Sequence, residues 1–276
     1  MVANAPDLEK RLRVAEQAAR AAGEVHRRYF GTGIAFETKL GDRRDMLTQA
    51  DIESQAVAKE VIARAFPGET IVGEEDGLSR ETLAPLLDGE CWTVDPLDGT
   101  QSFVQGFPVF GPGIAFVSQR RSLAGAVYLP VFDEMYVAAR GLGARLNGTP
   151  IHVAAPKSLE DAMVGVHIRE ASPPNVEQFL ATTGRVLTAA NGIRLLGSPM
   201  ICLAYIAAAR LDCFATLSPT RLGVWDLAPA EVILEEAGGV IADPQGGPFD
   251  LLNPGVSGAS SRALLDQLFA VARGQR

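Results

Sequence analysis

Most side chains able to do chemistry sit in four short stretches, and all four are acidic. They are Asp51 in Leu47-Thr48-Gln49-Ala50-Asp51, the pair Glu74-Glu75, the string Asp95-Pro96-Leu97-Asp98-Gly99-Thr100, and Trp225-Asp226. Asp95 ends an apolar run that begins at Cys91, which sets a carboxylate at the C-terminal edge of a strand, where sites in α/β proteins collect. Pro96 fixes φ and withholds a donor, so the chain turns, and Asp98 projects from that turn close enough to share an ion with Asp95. Gly99 lets backbone approach a ligand, and Thr100 offers a hydroxyl at a predicted helix start whose amides would face an anion. An isolated Asp-Gly pair is ordinarily a β-turn. A lone acidic pair at a strand end is ordinarily solvated surface, and a lone Trp-Asp is ordinarily an anchor followed by a helix cap. It is their joint occurrence that points to a site. Hard oxygen donors without thiolate or imidazole partners suit Mg2+, not zinc or copper. His26, His152 and His167 lie apart, with no paired spacing, and read as packing or surface residues.

The chain that must position these groups has 276 residues, 47% of them hydrophobic and 21% charged, with 33 acids against 25 bases and a formal charge of −8. The apolar fraction excludes a disordered chain. The most apolar window, Met200 to Leu217, is broken by Arg210 and Asp212, so no membrane span is expected. No apolar stretch precedes the charges of Met1 to Leu12, so no secretory signal is expected either. Net acidity makes nucleic acid an unlikely partner. Cys91, Cys202 and Cys213 are odd in number and set in apolar contexts, as expected of buried thiols in a reducing compartment, and the cytoplasm is the expected location.

Periodicity predicts a helix over Asp7 to Tyr29, with Leu8, Leu12, Ala15, Ala19, Ala22 and His26 on one face, then a strand over Ile34 to Lys39 and a polar turn at Gly41 to Arg44. A second helix is expected from about Thr48 to Phe66 with Ile52, Ala56, Val57, Val61 and Ile62 on its apolar face. Glu69 to Gly73 and Cys91 to Asp95 read as strands that run into acid. Gly113 to Ser118, Leu123 to Leu129 and Glu134 to Ala139 are spaced like an antiparallel meander, and Ala144 to Val153 like a hairpin about Asn147-Gly148. The meander serves either as core or as a partner surface. A linker at Ala154 to Ser158 divides one predicted unit, 1–276, into an α+β half (1–153) and an α/β half (154–276) carrying Asp226. In the second half strands at Ala162 to His167, Gly192 to Leu196, Leu211 to Leu217 and Val240 to Ala242 alternate with helices near Val176 to Thr183, Pro199 to Arg210 and Val224 to Ala237. A last helix covers Ser261 to Arg273. This order fits helix and mixed-sheet layers in alternation.

At the acidic stretches the chain resembles the inositol monophosphatase family, within the magnesium-dependent, lithium-sensitive phosphatase superfamily. The matching motifs run in order from about Val14 to Asp250: Asp45-Met46-Leu47-Thr48-Gln49-Ala50-Asp51, Gly73-Glu74-Glu75, Trp92 to Thr100 with Phe103-Val104 beyond it, then Trp225-Asp226-Leu227-Ala228 and Glu236-Ala237-Gly238-Gly239. The resemblance implies an α/β (α+β) fold, a layered α-β-α-β-α sandwich of the inositol monophosphatase / fructose-1,6-bisphosphatase type. It implies an Mg2+-dependent phosphomonoester hydrolase acting by in-line attack of a metal-activated water, with inositol monophosphate the default substrate. Two or three Mg2+ ions are implied, with Mn2+ a substitute and Li+ and Ca2+ inhibitory. Glu74, Asp95 and the Leu97 carbonyl look like ligands of one ion, and Asp95, Asp98 and Asp226 of a second. By the same resemblance Glu75 acts on water, Asp51 and Thr100 orient the attacking water, and Asp98, Gly99 and Thr100 meet the phosphate. A homodimer is implied as well.

On the substrate side, Gly197-Ser198 opens a predicted helix, as in relatives where this turn touches the substrate ring. The stretch Leu217 to Val224 lacks the acid that inositol-hydrolysing relatives carry before Trp-Asp, and it brings Arg221 instead, which suits a second anionic group on the substrate. Fructose-1,6-bisphosphate, a 3′-phosphonucleotide, NADP and histidinol phosphate therefore stand as alternatives. A regulatory binding protein on a phosphatase fold is the alternative of another class; the intact carboxylates together with Asp51 and Thr100 argue against it.

Overall fold

The computed structural model describes residues 5–39, 45–167, 173–217, 222–253 and 255–275. Helix α1 (Ala5–Tyr29) and helix α2 (Gln49–Ala65) flank a two-stranded ribbon of β1 (Phe36–Thr38) and β2 (Met46–Thr48). They pack on one face of a seven-stranded sheet in sequential order β3 (Ile71–Gly73), β4 (Glu90–Asp98), β5 (Gly111–Ser118), β6 (Arg121–Leu129), β7 (Glu134–Ala139), β8 (Ala144–Leu146) and β9 (Thr149–Pro150). Only β3 and β4 pair in parallel. Two short helices, α3 (Arg80–Asp88) and α4 (Thr100–Val104), flank β4 in sequence. The meander is core on both faces. Ile114, Phe116, Ala126 and Tyr128 meet α1 and α2, while Ala115, Val117, Val127 and Leu129 face the other way. That alternation explains an almost unbroken apolar sequence, and of the two readings of these strands, core or partner surface, it favours core.

The opposite face is covered by α6 (Pro199–Ala207) and α7 (Ala228–Glu236). Beyond them lies a five-stranded mixed sheet in the order β11 (Gly192–Arg194), β10 (Met163–His167), β12 (Cys213–Thr216), β14 (Ser257–Ala259), β13 (Val240–Ala242). Helices α5 (Pro173–Ala189) and α8 (Arg262–Ala272) close its outer side through Phe179, Val186, Leu264, Leu265 and Leu268. The result is five layers, α-β-α-β-α. A central apolar cluster runs from Val72 through the meander and α7 to Val256. Helix α3 and strand β14 are absent from the expected elements, whereas α5 is longer than its apolar pattern indicated.

The apolar face expected for α2 is borne out at its C-terminal end, where Ile62 is buried and Val61 packs against the core, and corrected in its N-terminal half. Ile52 is 48% exposed and Ala56 is exposed as well, and the buried residues are Ala50, Asp51, Ser54, Gln55, Ala58 and Ile62. This helix turns a polar stripe inward because its N-terminal half faces the carboxylate cluster rather than an oily core. The predicted turn at Gly41 to Arg44 lies outside the described residues. No helix among the described residues is long and apolar enough to cross a membrane, and the three cysteines are free and buried.

Candidate metal centre and active site

The ends of four elements meet at one cavity of about 130 Å³. Its wall includes Glu74, Asp95, Leu97, Asp98, Thr100 and Asp226. Glu74 follows β3, Asp95 and Asp98 end β4, and Asp226 lies in the turn before α7. Each is placed by a local device. Between Asp95 and Asp98 the β4–β5 register slips: Asp95 faces Gly113 and Asp98 faces Gly111, so three steps on β4 oppose two on β5. Pro96 cannot donate to the ladder, and the extra residue forms a bulge that turns both carboxylates to one side. Gly99 then adopts φ +85°, and a Cβ there would sit 2.8 Å from the Val109 carbonyl oxygen, so only glycine fits the step into α4.

One carboxylate oxygen from each of Asp95, Asp98 and Asp226 can be chosen so that all three lie within 4.8 Å of one another. Asp95 is wholly buried. Its Oδ1 accepts from the Leu97 N–H at 3.0 Å, and its Oδ2 has no hydrogen-bond partner among the described residues. Burial, then the charges of Glu74, Asp98 and Asp226, push its protonation well above the ordinary carboxylate range. A buried carboxylate oxygen with no partner, on a group clustered with two further carboxylates, is a poor arrangement for a protein alone and a good one for a hard cation. The donor set, all oxygen, fits Mg2+ or a similar ion.

Asp51 is the third residue of α2 and closes a capping box: the Thr48 N–H and hydroxyl both donate to its Oδ2, at 2.8 and 2.6 Å. Its other oxygen lies 3.1 Å from the Thr100 hydroxyl, which lies 2.9 Å from the Leu97 carbonyl. Burial pushes Asp51 up to about 6. Glu75 is pushed up to about 7 by burial and then by the charge of Glu74. The Lys39 ammonium bridges both glutamates, 2.9 Å from Glu74 and 2.7 Å from Glu75. The first residues of α4 (Thr100) and α6 (Pro199) line the cavity, and the turn before α7 carries Asp226.

The residues named for substrate divide. Gly99, Thr100 and Gly197 line the cavity. Ser198 does not. It is fully buried, caps α6 by accepting from the Ile201 N–H at 3.0 Å, and donates to Asp98. Its hydroxyl is committed to holding a carboxylate, which corrects its reading as a substrate contact. Arg221 lies outside the described residues. His167 had been assigned to packing or surface, yet it ends β10 and forms part of the cavity wall with Pro199 and Leu222. The reasoning applied to Asp95, a polar residue closing an apolar strand, would have found it. His26 is buried on the face of α1 expected to turn inward, and Ser54 and Gln55 are buried polar residues of α2 that hydrophobic periodicity does not mark. Gln55 accepts from the Glu75 N–H at 2.9 Å and so braces the acidic turn.

A family model described as the inositol monophosphatase family matches residues 7–275. The chain is 35% identical over 248 residues to an inositol-1-monophosphatase of Mesorhizobium japonicum, an alignment that covers 88% of this chain and 89% of that one. It is 32% identical over 236 residues to the Nus factor SuhB of Salmonella typhimurium, with 86% of each covered. Among solved structures, an IMPase of Thermotoga maritima superposes with a TM-score of 0.84 at 28% identity, covering 96% of this chain and 97% of that one.

Proposed function

We propose, from the premise that this chain belongs to the inositol monophosphatase family of phosphomonoester hydrolases, that it cleaves a small phosphate ester with Mg2+ held by Glu74, Asp95, Asp98 and Asp226 and the Leu97 carbonyl. The observation that carries this reading is the convergence of Asp95, Asp98 and Asp226 within 4.8 Å beside the Asp51–Thr100 pair. When bound, the ions offset the dianion's charge, lower the pKa of water and stabilise the leaving alkoxide. The chain's own groups do the rest. The Thr100 hydroxyl reaches both the Leu97 carbonyl and Asp51; with that carbonyl engaged by an ion its one proton would go to Asp51, leaving a lone pair to accept from the attacking water, with Asp51 the base behind it. Thr48 occupies the second oxygen of Asp51 and keeps the first aimed at Thr100. One proton leaves the attacking water toward Asp51 and one must reach the leaving alkoxide; Glu75, pushed up to about 7, acts on water at the site to carry a proton between them. The backbone amides of Gly99 and Thr100 hold phosphate oxygens. Gly197, with His167 across the cavity, borders the alcohol, and Arg221 serves a second anionic group.

Inositol monophosphate is the default substrate, in keeping with the name of the Mesorhizobium relative. The three free thiols fit a cytoplasmic location, and a homodimer remains our expectation, through a surface other than the meander. The test is phosphate release from inositol 1-phosphate, fructose-1,6-bisphosphate, a 3′-phosphonucleotide, NADP and histidinol phosphate, with Mg2+ and with EDTA. Release from at least one ester, abolished by EDTA and by Asp98→Asn, is expected. Slow turnover of inositol 1-phosphate beside a fast alternative removes the default substrate. A second reading, a regulatory binding role, draws on the likeness to the Nus factor. It prevails if wild type and Asp98→Asn are equally inactive on every ester while a protein partner still binds.

A further inference from the structure

We infer that His26 is a positioning residue for the candidate metal centre, acting on Asp95 through the Pro96–Leu97 peptide. The inference rests on the metal-centre reading above and adds to it a residue from a helix that contributes no ligand.

His26 lies on α1, fully buried, and its Nε2 is 2.8 Å from the Pro96 carbonyl oxygen. A carbonyl only accepts, so Nε2 carries the proton and the imidazole is the neutral Nε2–H tautomer. Its Nδ1 has no hydrogen-bond partner among the described residues, and the ring packs between Phe103 and Phe110 with centroids 5.9 Å away in each case. Burial pushes the imidazolium down to about 3, in keeping with a neutral ring. The Ser54 hydroxyl also lies 3.1 Å from the Pro96 oxygen, but it has one proton and a nearer acceptor, the Ala50 carbonyl at 2.6 Å. His26 is thus the donor on which the Pro96 carbonyl depends.

This carbonyl belongs to the bulge that splits Asp95 from Asp98. Its peptide plane has a second end, the Leu97 N–H, which donates to Asp95 Oδ1 at 3.0 Å. The chain of contacts is therefore imidazole N–H to carbonyl, and amide N–H to carboxylate. With the oxygen end pinned by His26, the plane is held, Leu97 N–H stays on Oδ1, and the carboxylate that clusters with Asp98 and Asp226 keeps its orientation, with an Oδ2 that has no hydrogen-bond partner among the described residues. Without the imidazole donor, the Pro96 carbonyl is a buried acceptor with little to hold it, and the plane is free to turn. Outer partners that orient a ligating carboxylate are commonly worth 10- to 100-fold in metal affinity.

The experiment measures Mg2+ binding by calorimetry, and Mn2+ binding by electron paramagnetic resonance, on full-length wild type, His26→Leu, His26→Gln and Asp95→Asn. The glutamine amide can supply the same donor; leucine fills the space without one. We expect His26→Leu to bind the ion about tenfold or more weakly, following the range for outer partners, His26→Gln to recover most of that loss, and Asp95→Asn to abolish tight binding. Near-wild-type affinity in His26→Leu beside lost affinity in Asp95→Asn overturns the inference and leaves the metal centre standing. Equal losses in the leucine and glutamine variants also overturn it, since packing alone would then explain both. Wild-type affinity in Asp95→Asn overturns the metal centre and this inference with it. If His26→Leu does not fold, the imidazole nitrogens of the wild-type protein decide by NMR: an Nε2–H tautomer whose proton shifts on adding Mg2+ supports the role, and an Nδ1–H tautomer overturns it.

Discussion

Asp95 has one oxygen tied to Leu97 and another with no hydrogen-bond partner among the described residues, in a carboxylate that clusters with Asp98 and Asp226. Without a cation, that arrangement costs stability, and relieving it should show. Asp95→Asn keeps an acceptor for the Leu97 N–H but removes one charge. It should raise the melting temperature of the protein in EDTA while abolishing hydrolysis, a gain on the order of 1 kcal/mol, or roughly 2–4 °C, as for other substitutions that trade function for stability. A fall in melting temperature in EDTA would contradict the strain. Asp51 and Glu75, pushed up to about 6 and about 7, give a pH prediction of definite sign. Each binds a proton more readily folded than unfolded. Their contribution to stability is therefore greatest below the ordinary carboxylate range and is lost as pH rises through 6 to 7. The metal-free protein should lose stability over that interval, Mg2+ should restore it, and ion binding near pH 6.5 should release protons, measurable as a buffer-dependent calorimetric enthalpy.

At the scale of elements, α7 is the delicate piece, because the Asp226 turn rides on its N-terminus. It seats on the sheet over Gly125, where a Cβ would collide with the Pro229 carbonyl oxygen and press on Val232. Gly125→Ala should cost about 1–3 kcal/mol by overpacking and should also weaken Mg2+ binding, since Asp226 moves with the helix. Ser261→Ala makes the contrast. Ser261 caps α8 by accepting from Leu264, on the far side of the second sheet. Its loss should cost about 1 kcal/mol and leave Mg2+ affinity within error of wild type. Denaturant midpoints and ion titrations on the two variants separate local damage at the site from general loss of stability.

At the scale of the molecule, a buried charge network ties α7 to the seven-stranded sheet. Glu231, fully buried, accepts from the Ser122 N–H and hydroxyl at 3.0 and 2.6 Å and pairs with Arg121 at 2.9 Å and Arg140 at 3.1 Å. Removing Glu231 leaves the buried Ser122 amide without its acceptor and leaves Arg121 and Arg140 to share Glu235. Glu231→Ala should therefore cost on the order of 3 kcal/mol, the lower part of the range for broken buried pairs because both arginines keep some contact with water. The loss should appear in a single cooperative transition, because the central cluster spans both halves of the chain. Two separated thermal transitions would show that the halves melt independently.

Much of the site was legible in the sequence because its key groups are bound by short local geometry. Asp95 and Asp98 lie three residues apart across a proline, so their convergence follows from one bulge, and an all-oxygen donor set already points to a hard cation. The order of elements, and with it the layered fold, followed from periodicity and turn residues. What the sequence did not disclose is which distant groups hold those carboxylates. Ser198 meets Asp98 across 100 residues and His26 meets Pro96 across 70. Periodicity marks a position as buried without naming its partner, so His26 read as one more apolar-face residue and Ser198 as a substrate contact. It also assigns the inward face of a helix by hydrophobicity. In the N-terminal half of α2 that choice failed, since Asp51, Ser54 and Gln55 face inward toward a polar site while Ile52 faces out, although Val61 and Ile62 pack into the core as expected. Only tertiary packing decides which stripe meets the protein interior, because the interior it meets is itself assembled from chain far away in sequence.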